Sequence, residues 1–288
     1  MPIGGLHHWF DAQRMRDPAP TRWWALTALL GVATTVFGLS LTQVFPSSGP
    51  AIAAGYGSPV IAFEFARSQV DLLGIFGPDS DPLQVSRLAA MRSGNEQDYL
   101  YMLLYAGFLA SGCIALWREL RARHLLAAAA LPVLAALCDA WENWLLLDIQ
   151  AAFTIGDYSP AMASLPWPVG AKFLLLAITN VAIGHAMTQM GRWWRFVGTL
   201  VIGATLPVAM ALVAPPDFAW TLVASIGGGW VVLLGMATIG SWRALVHKRP
   251  LVDFERRSTI RRAADRGEAE PAFRSAPRRR FGRRKSDR

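Results

Sequence analysis

Charge is scarce in this chain and cysteine nearly missing. Charged residues make up 17% of its 288 residues, where soluble domains sit near a quarter. Hydrophobic residues reach 53%. Only Cys113 and Cys138 are present, both inside apolar segments. That excludes a disulfide framework and favours buried thiols. Histidine is thin too, with five in all. No H-E-x-x-H, H-x-x-x-H or paired-cysteine spacing occurs, so no metal and no cofactor are expected. Gly-x-Ser-x-Gly and glycine-rich phosphate loops are missing as well.

The basic charge is a property of one end. Residues 243–288 carry 16 Lys/Arg against 6 Asp/Glu, while the remaining residues carry 12 against 14. The end of the chain, RRRFGRRKSDR, is Arg-rich and poor in apolar residues. It reads as a disordered tail over 241–288 that seeks anionic lipid headgroups, at about 1 kcal/mol per basic residue near a surface. No aromatic platform accompanies it, so nucleic acid is not an expected partner.

What is present is long apolar runs. After a polar lead over 1–22, six spans are predicted: Trp23–Val44, Tyr99–Trp117, Leu125–Leu147, Ala171–Met190, Phe196–Ala214 and Phe218–Gly240. Each is about as long as a ~30 Å hydrocarbon core requires. The first is too long for a signal-peptide core and is read as uncleaved. The fold class is therefore all-α, a membrane bundle with a TM2–TM6 body over 99–240. Arg118, Arg121 and Arg123, then Arg192 and Arg195, then the tail all fall on one side. By the positive-inside rule that side is cytoplasmic, with both termini. The acidic turns at 148–170 and 215–217, and the long segment 45–98, fall outside.

Segment 45–98 is predicted as a small helical subdomain, with a candidate protein partner. It is expected to hold a short extended piece from Ser58. A helix follows from Ser68, capped by Ser68 with Asp71 at its third position. A second helix is predicted over Leu83–Arg92. Pro132 and Pro207 are expected to interrupt their spans.

The third span carries chemistry. Asp139, Glu142 and Asn143 are spaced i, i+3, i+4 and share one helical face. Ionisable groups in a bilayer cost about 2.5–3.5 kcal/mol each on insertion scales, so this face is predicted to turn toward protein or a wet cavity. Lys172, at the start of the fourth span, is the expected partner of Glu142; Asp139 has no evident basic partner. Glu64, Arg67 and Asp98 from the long segment are expected to cap the same end, and Asn180 is a supporting polar residue. His185, five positions on, is read as a packing donor.

Three functions fit these residues. The first is a transporter or channel-like protein for an ion or small solute, with Asp139, Glu142 and Asn143 lining its path. The second is an enzyme on lipid-linked substrates using Asp139 or Glu142 as general acid/base. The third is a non-catalytic assembly or regulatory protein. Cys138–Asn143 has a passing likeness to an acidic motif of membrane ceramidase-like hydrolases. That family requires zinc-binding histidines in later spans, which this chain lacks, so the activity is not carried over. The run Phe63–Ser68, then Asp98-Tyr99 with Tyr105-Ala106, then Asp139–Asn143, resembles a group of uncharacterised bacterial multi-pass membrane proteins over residues 58–150. The resemblance implies an inner-membrane location and no particular activity.

Overall fold

The computed structural model describes residues 22–157 and 159–251. The lead and the distal tail lie outside them, as do the expectations placed there. Six helical segments are long and apolar enough to cross a membrane, and the described residues form an all-helical bundle. In chain order the bundle helices are α1 (Trp23–Val44), α4 (Gln84–Leu120), α5 and α6 (His124–Ala128 and Leu131–Thr154), α7 (Pro166–Thr188), α8 and α9 (Arg192–Gly203 and Leu206–Val213) and α11 (Thr221–Leu245). Helix α7 packs on α6, α6 on α4, α4 on α1, α1 on α11, and α11 back on α7, which closes a ring; α8 and α9 lie outside against α7 and α11.

Small residues set the close contacts. A Cβ on Gly184 of α7 would lie 2.8 Å from the Gly198 carbonyl of α8. Of the two small-residue frames in α11, only Ser225/Gly229 is buried and packs, against Asn180; Ala224 and Gly228 are exposed. The two prolines act as expected. Each opens a fresh helix, Pro132 at the head of α6 and Pro207 at the head of α9, where a missing N–H costs nothing.

Several boundaries differ from the sequence reading. The helix over Leu83–Arg92 and the second span are one continuous helix, α4, of 37 residues. At 1.5 Å per residue it runs about 55 Å, well beyond an apolar core of about 30 Å. Its charged first third is therefore helix projecting past the apolar layer. The connection 148–170 is shorter than expected, since α6 continues to Thr154 and α7 begins at Pro166, with one 3-10 turn at Pro160–Ala163 between. The turn at Pro215 is a single helical turn, α10 (Pro215–Phe218).

The extended piece expected from Ser58 is instead a helix, α2 (Pro59–Glu64). Pro59 at its first turn and the Ser58 hydroxyl accepting from the Ile61 N–H start it. Helix α3 (Gln69–Phe76) begins as expected, with a reciprocal capping box. Ser68 Oγ accepts from the Asp71 N–H, and Asp71 Oδ2 accepts from the Ser68 N–H at 2.9 Å.

These short helices close one end of the bundle, called here the segment end. Phe65 stacks on Phe173 of α7 with centroids 6.2 Å apart, and Phe76 meets Phe153 of α6 at 5.5 Å. Gly55, in the 3-10 turn Ala54–Tyr56, lies so close to α10 that a Cβ would overlap the Pro216 carbonyl. The Gly55 carbonyl accepts from the Trp220 N–H at 2.8 Å.

Candidate functional site: a lysine among carboxylates

The site grows from the register of α6. Residues 139, 142 and 143 face inward on that helix, and all three are buried. Glu142 is 0% exposed, so it does not reach back to water. Helix α7 brings Lys172 opposite. Lys172 lies six residues inside α7 rather than at its start, and it is buried.

The Lys172 ammonium is the meeting point of three segments. Its Nζ donates to Glu142 Oε1 at 2.9 Å and lies 2.8 Å from Oε2. It lies 3.1 Å from Asp139 Oδ1 and 3.3 Å from Glu64 Oε2. Asp139 therefore has a basic partner after all. The sequence reading missed it because Lys172 serves both acids at once. Lys172 also sits 4.6 Å from the Phe173 ring centroid, a further favourable contact for a cation.

A fourth carboxylate joins from α4. Asp98 Oδ2 accepts from Asn143 Nδ2 at 3.0 Å, and the same amide donates to the Asn95 carbonyl at 3.1 Å. Asp98 lies within electrostatic reach of Asp139, Lys172 and Glu64. Asn143 thus carries no charge to the cluster; it ties α6 to α4. Tyr105, also on α4 and buried, donates its hydroxyl to Asp139 Oδ2 at 2.9 Å. The resemblance names Tyr105 without a role; its place about two helical turns after Asp98 on the same helix is the signal for it. Beneath it, Trp230 and Tyr101 complete an aromatic floor, with Trp230 at 5.4 Å and Tyr101 at 5.6 Å from the Tyr105 ring.

Glu64 stands outside the spans but is buried by the subdomain. Burial is the largest influence on its carboxyl and raises its pKa above the ordinary 4.5; Lys172 opposes that and Asp139 adds to it.

Two predicted residues stand apart from the cluster. Arg67 is exposed, and its guanidinium Nη1 donates to the Ala66 and Glu64 carbonyls at 2.7 and 3.3 Å. It lies within electrostatic reach of Glu142 but makes no ion pair among the described residues. Asn180 sits two turns further along α7, and donates to the Ile226 carbonyl of α11 at 3.1 Å. It is an interhelical tie, not a member of the acidic group.

At the opposite end of the bundle one acid was overlooked. Glu119 is buried, and its Oε1 accepts from the Trp24 indole at 3.1 Å and from the Leu251 N–H at 2.8 Å. Trp24, near the head of α1, is fully buried. The histidines His124 and His185 also meet at this end, 5.8 Å between ring centroids.

Among the described residues no group of three or more His, Cys, Asp or Glu side chains is arranged to hold a metal ion. No family model, curated protein or solved structure matches the chain. The chemistry of the cluster therefore has to carry the functional argument.

Proposed function

We propose that this is a bacterial inner-membrane protein with transporter or channel-like activity toward an ion, the proton being the first candidate. The observation that carries the reading is the charge balance around Lys172. Three carboxylates, Glu64, Asp139 and Glu142, lie within 3.3 Å of one ammonium, and a fourth, Asp98, is held beside them by Asn143. Burying unbalanced charge is costly, at several kcal/mol per ion even after relaxation. The excess is met most simply by protons held within the cluster. Gain or loss of such a proton changes which acid Lys172 binds, and those acids stand on α2 and α6. That couples protonation to the packing of α2, α6 and α7.

In this conformation the cluster is closed at both ends. Below Tyr105 the facing interior is apolar, including Leu109, Leu116, Leu233 and Met236. The cluster is closed toward the opposite end and covered by the subdomain at the segment end. The basic turns at Arg118–Arg123 and Arg192–Arg195 mark the opposite end as cytoplasmic under the positive-inside rule, which puts the cluster toward the outside. Cysteine labelling at Ser47 and Lys248, in a chain with Cys113 and Cys138 replaced by alanine, should show opposite sides. Labelling of both from outside would remove this orientation.

An enzyme acting on lipid-linked substrates is the alternative. Two acids inside the bundle would suit it, but the engagement of Asp139 and Glu142 by Lys172 leaves neither acid free to act.

The test is proton flux. Purified protein in liposomes holding a pH-sensitive dye is given a potassium-diffusion potential. The proposal expects faster internal pH change than in empty liposomes, and its loss in Asp139→Asn with folding retained. Equal rates with and without protein would overturn it.

A further inference from the structure

A cavity of about 430 Å³ opens at the segment end, between the subdomain and the ends of α7, α9 and α10. Tyr56, Phe65, Arg67, Val169, Leu212 and Pro216 are among its walls. Arg67 is the one charged residue lining it. The rest is apolar or aromatic, the usual make-up of a small-molecule site.

Arg67 is held in a specific way. Both of its hydrogen bonds to carbonyls leave from Nη1, and Phe65 lies under the guanidinium with 5.9 Å to the ring centroid. Among the described residues nothing accepts from Nε or Nη2. Those two donors form the side-on fork that matches a carboxylate or phosphate with two parallel hydrogen bonds. The nearest competing acid, Asp71, is occupied elsewhere: its Oδ2 accepts from the Arg67 and Ser68 N–H groups and the Ser68 hydroxyl. Trp167 and Val213, next in sequence to the lining residues Pro166 and Leu212, are 75% and 86% exposed. In a membrane such side chains face acyl chains.

We propose that this cavity binds an anionic amphiphile. Its head, a carboxylate or phosphate, sits on the Nε/Nη2 fork of Arg67, and its apolar chain lies along Val169, Leu212 and Pro216. This site stands apart from the proton chemistry of the Lys172 cluster, and its test reads binding alone, so either proposal can fail without the other.

Gly170 provides the decisive variant. It lines the cavity, and a Cβ there meets nothing within 4 Å. Gly170→Leu fills the space without a backbone clash and suits a helix better than glycine. Binding of oleate, of phosphatidylglycerol and of inorganic phosphate is measured by native mass spectrometry on the full chain in maltoside micelles. Saturable one-to-one binding of oleate or phosphatidylglycerol is expected. It should weaken by at least about tenfold in Arg67→Gln, as loss of a bidentate charged contact implies, and at least as much in Gly170→Leu. Phosphate alone should bind far more weakly than either. Preference for phosphatidylglycerol identifies a bilayer lipid as the source, and preference for oleate a free acid. Should Arg67→Gln not fold, Gly170→Leu carries the test. Lack of saturable binding, binding unchanged in Gly170→Leu, or phosphate binding as tightly as the amphiphiles would overturn the proposal.

Discussion

The two ends of the bundle solve the same problem differently. Each buries acid. At the opposite end a single carboxylate, Glu119, accepts from the Trp24 indole and the Leu251 N–H. At the segment end three carboxylates meet one lysine, with a fourth, Asp98, held beside them by Asn143. The first arrangement is a tie: one acid joins α4 to α1 and to the segment that follows α11. The second is a hub: removing its centre leaves several charges uncompensated together. A buried tie can be conserved in energy by any isosteric acceptor, whereas a hub depends on the one cation. That difference separates a packing device from a group able to exchange protons.

The sharpest way to break the comparison is to remove each centre. Lys172→Met should be the most destabilising single change, by roughly 3–5 kcal/mol, because it leaves buried carboxylates without their counter-ion. Thermal unfolding in detergent reads it. Adding Glu142→Gln to Lys172→Met should recover part of the loss. Lack of recovery would show that Glu142 is not a main debtor of the lysine. Next comes the lid over the hub. Gly55→Ala forces a Cβ into the Pro216 carbonyl, so α10 and the 3-10 turn must part. Hydrogen exchange over residues 51–76 should rise strongly while α1 and α11 stay protected; unchanged exchange would mean that the contact gives way cheaply.

Glu119→Gln is the counterpart at the other end and should cost only about 1–2 kcal/mol, since an amide oxygen can still accept both hydrogen bonds. A cost equal to that of Lys172→Met would erase the distinction between tie and hub.

The pH response sharpens the contrast. Burial raises the Glu64 carboxyl above 4.5, so the folded state holds its proton more tightly than the unfolded chain. Stability from this group is present at low pH and falls as pH rises from 4.5 through the raised value. Glu64→Gln should flatten that part of the unfolding profile. A wild-type profile that rises over the same range would mean that Lys172 outweighs burial. The smallest effect is expected at the capping box: Ser68→Ala should cost about 1 kcal/mol, read by unfolding of the subdomain.

Much of this was legible before any coordinates. The i, i+3, i+4 register of Asp139, Glu142 and Asn143 needed only helical geometry, and the Ser68/Asp71 cap needed only local spacing. The continuity of α4 was harder. Arg87, Arg92, Glu96 and Asp98 made the helix over Leu83–Arg92 look separate from the second span, because apolarity was used to bound that span. The lack of proline between Pro82 and Pro132 was the signal that argued otherwise. Asp139 with Lys172, Tyr105 with Asp139 and Glu119 with Trp24 were beyond reach for another reason. Each joins residues 33 to 95 positions apart, and helix periodicity says which face turns inward, not which neighbour it meets.

The account turns on whether the Lys172 hub carries a proton. Infrared spectroscopy of the purified protein at neutral pH measures this directly, because a protonated carboxyl has a carbonyl stretch that a carboxylate lacks. The account predicts such a band, shielded from rapid exchange with heavy water, and its loss or shift when Glu64, Asp98, Asp139 or Glu142 is replaced by its amide. A spectrum showing only ionised carboxylates, unchanged by those replacements, would contradict it.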